Sequence, residues 1–364
     1  MPEHILISLK KRLYLTFFLH LLLLGGNASY AQIDNPEGGL TTVPDELIWA
    51  QTLSGSHFNE FWNYQFYFDN GMKAHILFSV ANFGSLKDPV SGVRFSILYP
   101  DGSTYHVSRE YPLHMLIQDR ETHMFRPRLE RELYFVGKLP DEHKIVIDTP
   151  KDGISYQIEL TFTNIARGYK WADGMFDIHN EEIGIVTHIP YAEVSGFISV
   201  DGDRRQVDGT GYMDHTFQNQ TTTRLMNSGY RFVNHTDSRN WDLLYFLLPA
   251  DNRGRSTAGY RLKSENGRVS VQGIEAIQET HDSEAFGKSI PRIMELELEN
   301  GGSLRLYRTE DEERFSVLSE LNWLARRAAK SFLGGEVIDF RGDATLQEPS
   351  NRPKQGHYNY FFVE

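Results

Sequence analysis

The sequence predicts an all-β chain folded as two barrels, with one helix near its C-terminal end. Apolar and polar residues alternate through most of the chain, turn residues punctuate those runs at short intervals, and a helical period occurs once. Of 364 residues, 40% are hydrophobic, 24% charged and 13% aromatic, the balance of a globular protein with β-rich cores. The absence of cysteine rules out disulfides, thiol nucleophiles and Cys-ligated metals. A formal net charge of −12 repels phosphate backbones and excludes nucleic acid as a partner. It also gives anionic bilayers little attraction, leaving open only a peripheral membrane contact.

In chain order, the first element is an address segment. Lys10, Lys11 and Arg12 precede the apolar run 13–24, and Ser29-Tyr30-Ala31 offers small residues where a signal peptidase reads. That run is shorter than the ~20 residues that span a bilayer. Residues 1–31 therefore read as a signal peptide cleaved near Ala31/Gln32, and the protein as periplasmic or secreted. A cysteine-free exported chain fits a bacterial periplasm, where disulfides are optional.

Beyond it, Met72, Ala74, Ile76, Phe78 and Val80 fall on one face of a strand. Tyr156, Ile158, Leu160 and Phe162 repeat the pattern, as do Met294, Leu296 and Leu298 against three glutamates. Turn signals lie at Asp69-Asn-Gly71, Pro100-Asp-Gly102, Lys151-Asp-Gly153, Asp201-Gly202, Glu265-Asn-Gly267 and Asn300-Gly-Gly302. Residues 32–180 are expected to form one barrel and 181–364 a second, divided where His179-Asn-Glu-Glu182 interrupts the strand pattern. The helix is expected where Phe315, Leu318, Leu321, Trp323, Leu324, Ala328 and Phe332 recur, ended by Gly334-Gly335. Glu310–Glu313 and then Arg326, Arg327 and Lys330 suit its dipole, and it should lie on the outside or mouth of a barrel.

One segment carries a signature. Residues 194–218 contain Val194-x-Gly196, a tight Asp201-Gly202 turn, and a strand with Val207-x-Gly209-x-Gly211-Tyr212-x-Asp214-His215. Two apart on a strand, Tyr212 and Asp214 share one face, while Gly211, Met213 and His215 take the other. The pattern resembles the hallmark of the carotenoid 1,2-hydratase (hydroxyneurosporene synthase) superfamily of AttH-like lipocalin proteins. A weaker match, Glu60-Phe-Trp62-Asn-Tyr64 before Asp69-Asn-Gly71, resembles that family's aromatic opening strand. The match in residues is concentrated in 194–218; the match in architecture extends over most of the chain after the leader.

The resemblance implies a tandem lipocalin-like (calycin) double β-barrel that takes a hydrophobic small molecule: a carotenoid, terpenoid or lipid. It places catalytic roles on Asp214 and Tyr212, and substrate contacts on His215, His188, Phe217, Trp62 and Tyr64. Hydrating an alkene needs a strong proton donor, and a carboxyl group in an apolar barrel keeps its proton. A tyrosine ring then stabilises the cation, and water adds without metal or organic cofactor. Where the family continues Asp-His-Asn-Trp-Gly, this chain has Asp214-His215-Thr216-Phe217-Gln218, and His188 stands where the family has a tryptophan two residues before a proline.

Other readings remain beside that one. The protein is either an enzyme of the hydratase, cyclase or isomerase type or a non-catalytic periplasmic lipid carrier. Asp214 and His215 could instead be buried structural groups. His179, His188 and His215 lack short ligand spacing, so no metal site is expected. There is no Gly-x-Ser-x-Gly elbow or P-loop, which removes support for hydrolase and nucleotide chemistry.

Overall fold

The computed structural model describes residues 31–364 apart from Arg253, Leu321 and Ser350. Of the signal segment read at 1–31, residues 1–30 lie outside the described residues, as does Leu321 of the expected helix. The first strands are β1 (Ile33–Asp34), β2 (Leu40–Thr42), β3 (Phe58–Phe68), β4 (Lys73–Asn82), β5 (Val90–Leu98), β6 (Thr104–Pro112), β7 (Ile117–Asp119) and β8 (Met124–Arg126). They continue as β9 (Leu133–Lys138), β10 (Glu142–Lys151), β11 (Ile154–Thr163), β12 (Tyr169–Trp171), β13 (Met175–Ile178), β14 (Glu181–Val200) and β15 (Asp203–Gln218). Together these make one 15-stranded sheet whose main path is β6-β5-β4-β3-β15-β14-β11-β10-β9-β8-β7. The remaining strands are β16 (Met226–Asp237), β17 (Asn240–Pro249), β18 (Ala258–Glu265), β19 (Arg268–Ala285), β20 (Lys288–Leu298), β21 (Ser303–Ser316), β22 (Val337–Gln347) and β23 (Lys354–Val363). These close into a barrel.

All six turn signals fall between consecutive strands. At the tip of the long β14–β15 hairpin, Gly202 holds φ 85°, a left-handed conformation that costs glycine nothing. The alternating faces also land inside. Ile76, Phe78, Ile158 and Leu160 join Trp62, Tyr64, Phe66, Phe125 and Phe135 in the core of the first sheet, while Met294, Leu296 and Leu298 line the core of the closed barrel.

Three expectations change. The first body is a half-barrel rather than a closed one, because β6 and β7 at the two ends of its path do not pair. Strand β7 is only 3 residues long, too short to build a closing ladder. The division at 180/181 also falls inside the first sheet. Strand β14 pairs with β11, and β15 with β3, so the second body starts only at Met226. The interruption at His179-Asn180 is a hairpin turn between β13 and β14, with φ 57° and 62° as a two-residue primed turn requires. Finally, the helix is shorter than its period. Phe315 pairs with Asp339 in the β21–β22 ladder, and Glu310–Glu313 lie on β21, so the α-helix spans only Trp323–Leu333. Much of its apolar stripe faces outward: Trp323 is 73%, Leu324 63% and Phe332 46% exposed.

The closed barrel also holds a half-buried acid, Glu279, whose hydrogen bond to Tyr360 does not outweigh its burial. Glu279 on β19 continues the inward face of Ile277, opposite Met294, and its Oε1 has no partner among the described residues. Burial, with the Asp282 charge adding, pushes its carboxyl up to about 7. Between the ordinary glutamate range and that value the folded chain keeps a proton that the unfolded chain has released, so stability falls as pH rises through this window. Glu279→Gln is therefore expected to gain about 2 kcal/mol over the parent at pH 8 and almost nothing near pH 4, as read by urea unfolding. An equal gain at both pH values would show that the acid is not held protonated.

Candidate functional site

Strands β15, β3, β4, β5 and β6 give one face to the half-barrel core and the other to the closed barrel. Residues opposite one another in neighbouring strands share a face. Asp214, Asn63, Leu77, Arg94 and Ser108 thus form one row across these strands, and Tyr212, Gln65, His75, Ser96 and His106 the next. Facing them are Arg231, Tyr245, Asp339 and Asn359, which alternate with the barrel-core residues Tyr230, Leu244, Phe340 and Tyr358.

A cleft of about 230 Å³ remains between the two sheets. Its walls include Phe61, Leu77, Phe83, Val93, Leu247 and Phe361, and its polar groups gather around Asn63, His75, Arg94 and Arg231. The interior of the half-barrel, by contrast, is filled with rings: Trp62 lies 4.4 Å from Phe125, and Phe125 stacks 5.0 Å from Phe135. The space expected inside a barrel is therefore found on its outer wall, where the second body covers it.

At the polar end, side chains form a connected knot. Asp214 is fully buried and accepts Arg231 Nε–H at 2.7 Å, Arg231 Nη2–H at 3.2 Å and Asn63 Nδ2–H at 2.7 Å. With N–H donors on both oxygens, the arrangement suits a carboxylate. Arg231 Nη2 also donates to the Tyr245 hydroxyl at 3.4 Å, which lies 3.1 Å from Thr216 Oγ1.

Because the Asn63 amide nitrogen donates to Asp214, its carbonyl oxygen receives the His75 Nε2–H. Burial, then the charges of Arg341, Arg94 and Arg231, hold the His75 imidazole well below its ordinary pKa and so neutral. Its Nδ1 is left as a lone-pair acceptor on a residue that lines the cleft.

The motif residues divide between two environments. As the period-two reading requires, Tyr212 and Asp214 share a face; that face is the seam between the bodies, not the barrel interior expected from sequence. The inner side of β15 is taken by Met213 and His215, paired with Tyr64 and Trp62. Tyr212 packs in the seam core beside Asp214; burial, with the Asp214 charge adding, pushes its phenol well up. His215 sits 2.9 Å from the Leu47 carbonyl through Nδ1 and 3.1 Å from Glu60 Oε2 through Nε2, stacked on Trp62 at 4.5 Å.

None of Trp62, Tyr64, His215 or Phe217 borders the cleft. Trp62 donates to the Ile48 carbonyl, Tyr64 lies 3.1 Å from His143 Nε2, and the Phe217 ring covers Gly184. His188 lines a separate pocket of about 220 Å³ with Ile48, Leu139 and Arg167, and burial lowers its imidazole pKa well below the usual range. Of the cleft groups, Asn63 lies within the 60–64 stretch but is not among its expected site residues, and His75, Arg94 and Arg231 belong to no spaced motif. Their one signal is Asn59, Asn63 and Gln65 opposite the aromatic face of β3, where a solvated wall would carry charges.

No sequence family matches the chain, and no curated protein matches it. Among solved structures, a putative AttH from Nitrosomonas europaea superposes with a TM-score of 0.62 at 12% identity, covering 90% of this chain and 99% of that one. The chain has the fold of that putative AttH. Two further structures share it. Kievitone hydratase from Nectria haematococca matches at 14% identity and a TM-score of 0.50, covering 90% of the AttH-like chain and 97% of its own. CghA, solved with Sch210972, matches at 9% identity and a TM-score of 0.50, covering 92% and 99%. At these identities the likeness is one of fold.

Proposed function

We propose that this AttH-like chain is an exported protein that binds an apolar small molecule of the isoprenoid or lipid class in the cleft between its two sheets. The observation that carries the reading is the cleft itself, apolar over most of its walls and polar around Asn63, His75 and Arg231. Such a surface recognises a greasy body with one polar group. Two proteins of the same fold, one named as a hydratase and one solved with a small molecule, support it. Export rests on the leader-like segment 1–31.

Carriage is favoured over acid chemistry on a polyene. Protonating an alkene asks for a carboxyl proton, and at Asp214 both oxygens already accept N–H donors. Asp214 thus acts as the anchor of Arg231 and Asn63. If the ligand is turned over, His75 Nδ1 is the group placed to accept its proton, with Tyr212 and Asp214 supporting from behind.

Organic extraction of the purified protein followed by mass spectrometry is expected to recover an apolar molecule. Leu77→Arg, which puts a charge into the cleft, is expected to remove it without changing the far-ultraviolet circular dichroism. Equal recovery from both proteins would place the ligand elsewhere. An empty extract from the parent, together with no uptake of an added apolar probe, would leave the cleft without this role.

A further inference from the structure

The cations bordering the cleft are not equivalent. Arg231 grips Asp214, and Arg109 donates to Thr149 Oγ1 at 3.3 Å and to the Pro150 carbonyl. Arg94 on β5 differs. Its guanidinium lies 4.6 Å over the Phe315 ring, and its counter-charge, Asp339 Oδ2, is 3.7 Å from Nη2, beyond hydrogen-bond reach. Among the described residues Arg94 donates no hydrogen bond, although a guanidinium carries five N–H donors in a planar fork.

The neighbouring acids are held elsewhere. Glu110 pairs with Lys87, Glu336 with Arg326, and Asp339 accepts Asn359 Nδ2–H at 3.2 Å. Burial, with the Arg341 charge adding, lowers the Arg94 pKa from its ordinary value, and Asp339, Glu313 and Glu110 offset this in part.

We infer that the ligand of the cleft carries a carboxylate beside its apolar body and that Arg94 binds that carboxylate. The inference rests on the reading of the cleft as a ligand site and names the ligand's head group. A planar carboxylate matches two parallel donors of the fork, the geometry that a hydroxyl or ester cannot reproduce. Leu77, in direct register with Arg94, then lies under the apolar body. His75 offers a lone pair and repels a carboxylate oxygen, which keeps the head on the Arg94 side.

Titration calorimetry of the full chain with decanoate and with decanol tests this. Decanoate is expected to bind roughly tenfold more tightly than decanol, a charge-assisted fork against a neutral hydroxyl. Arg94→Gln should erase that preference by weakening decanoate while leaving decanol unchanged. Asp339→Asn, which removes the competing carboxylate, should strengthen decanoate and decides the matter if Arg94→Gln does not fold. Equal affinities in the parent, or a decanoate preference that survives Arg94→Gln, overturn the inference and leave the cleft as an apolar site. If neither probe binds, the reading of the cleft fails, and the carboxylate assignment with it.

Discussion

Replacing Arg231 by methionine is expected to lower the unfolding free energy by about 3–5 kcal/mol, because it leaves a buried carboxylate without its cation. Asp214 has no exposed surface, and after the change only the neutral donors of Asn63 and Tyr212 would remain to it. The size of the loss separates this pair from an exposed one such as Arg205–Asp203, whose removal should hardly change stability. Arg231→Met combined with Asp214→Asn should recover much of the loss, since no uncompensated charge remains. Urea unfolding of the two single variants and the double variant reads the coupling directly. Additive losses would mean that the two side chains do not depend on each other, and the knot at the head of the cleft would have to be abandoned. A functional consequence follows from the same contacts. Arg231 itself borders the cleft, so the folded fraction of Arg231→Met should also bind cleft ligand more weakly.

Much of the fold is readable because dry faces impose a period. Strands β4, β11 and β20 each keep one face in a core, and their alternation survives in the sequence without a gap. Closure is different. Whether β6 meets β7 depends on chain ends far from the alternating runs, and 3-residue strands such as β7 and β8 carry no period to read. The shift in the domain boundary has a local cause: a primed hairpin turn at His179-Asn180 and a linker have the same composition, and only φ tells them apart.

The site was legible by half. Parity along β15 correctly joins Tyr212 to Asp214 and separates both from His215, since a strand leaves no other choice. Which side is the cleft does not follow from parity. That depends on a second body packing against the outer wall, and Arg231, which defines the chemistry there, comes from a different sheet with no motif linking it to Asp214. Arg94 and His75 were hidden for a related reason. Each sits at an outward position where a charged or polar residue normally means solvent, and only the covering barrel turns that position into the wall of a cleft.

The adjacent residue of the motif supplies the opposite test. Glu60→Ala is expected to cost about 3–5 kcal/mol, comparable to Arg231→Met, yet to leave the cleft affinity of the folded protein unchanged. Glu60 has no exposed surface; it accepts the Gln51 amide at 2.8 Å and the Thr52 hydroxyl at 2.6 Å, and it faces His215 Nε2 at 3.1 Å. The Leu47 carbonyl can only accept, so His215 Nδ1 must carry a proton. One proton is therefore shared between His215 Nε2 and Glu60, and removing the acid strands an imidazole and the loop amides together. All of this lies on the core side of β15, behind Trp62, whereas Asp214 looks the other way toward Arg231. Urea unfolding and decanol titration of the same preparation separate the two effects. A drop in affinity matching the drop in stability would mean that the core side of β15 shapes the cleft through the strand itself. Unchanged affinity beside a large stability loss would confirm that Asp214 and His215, neighbours in the chain, serve the ligand site and the core of the half-barrel respectively.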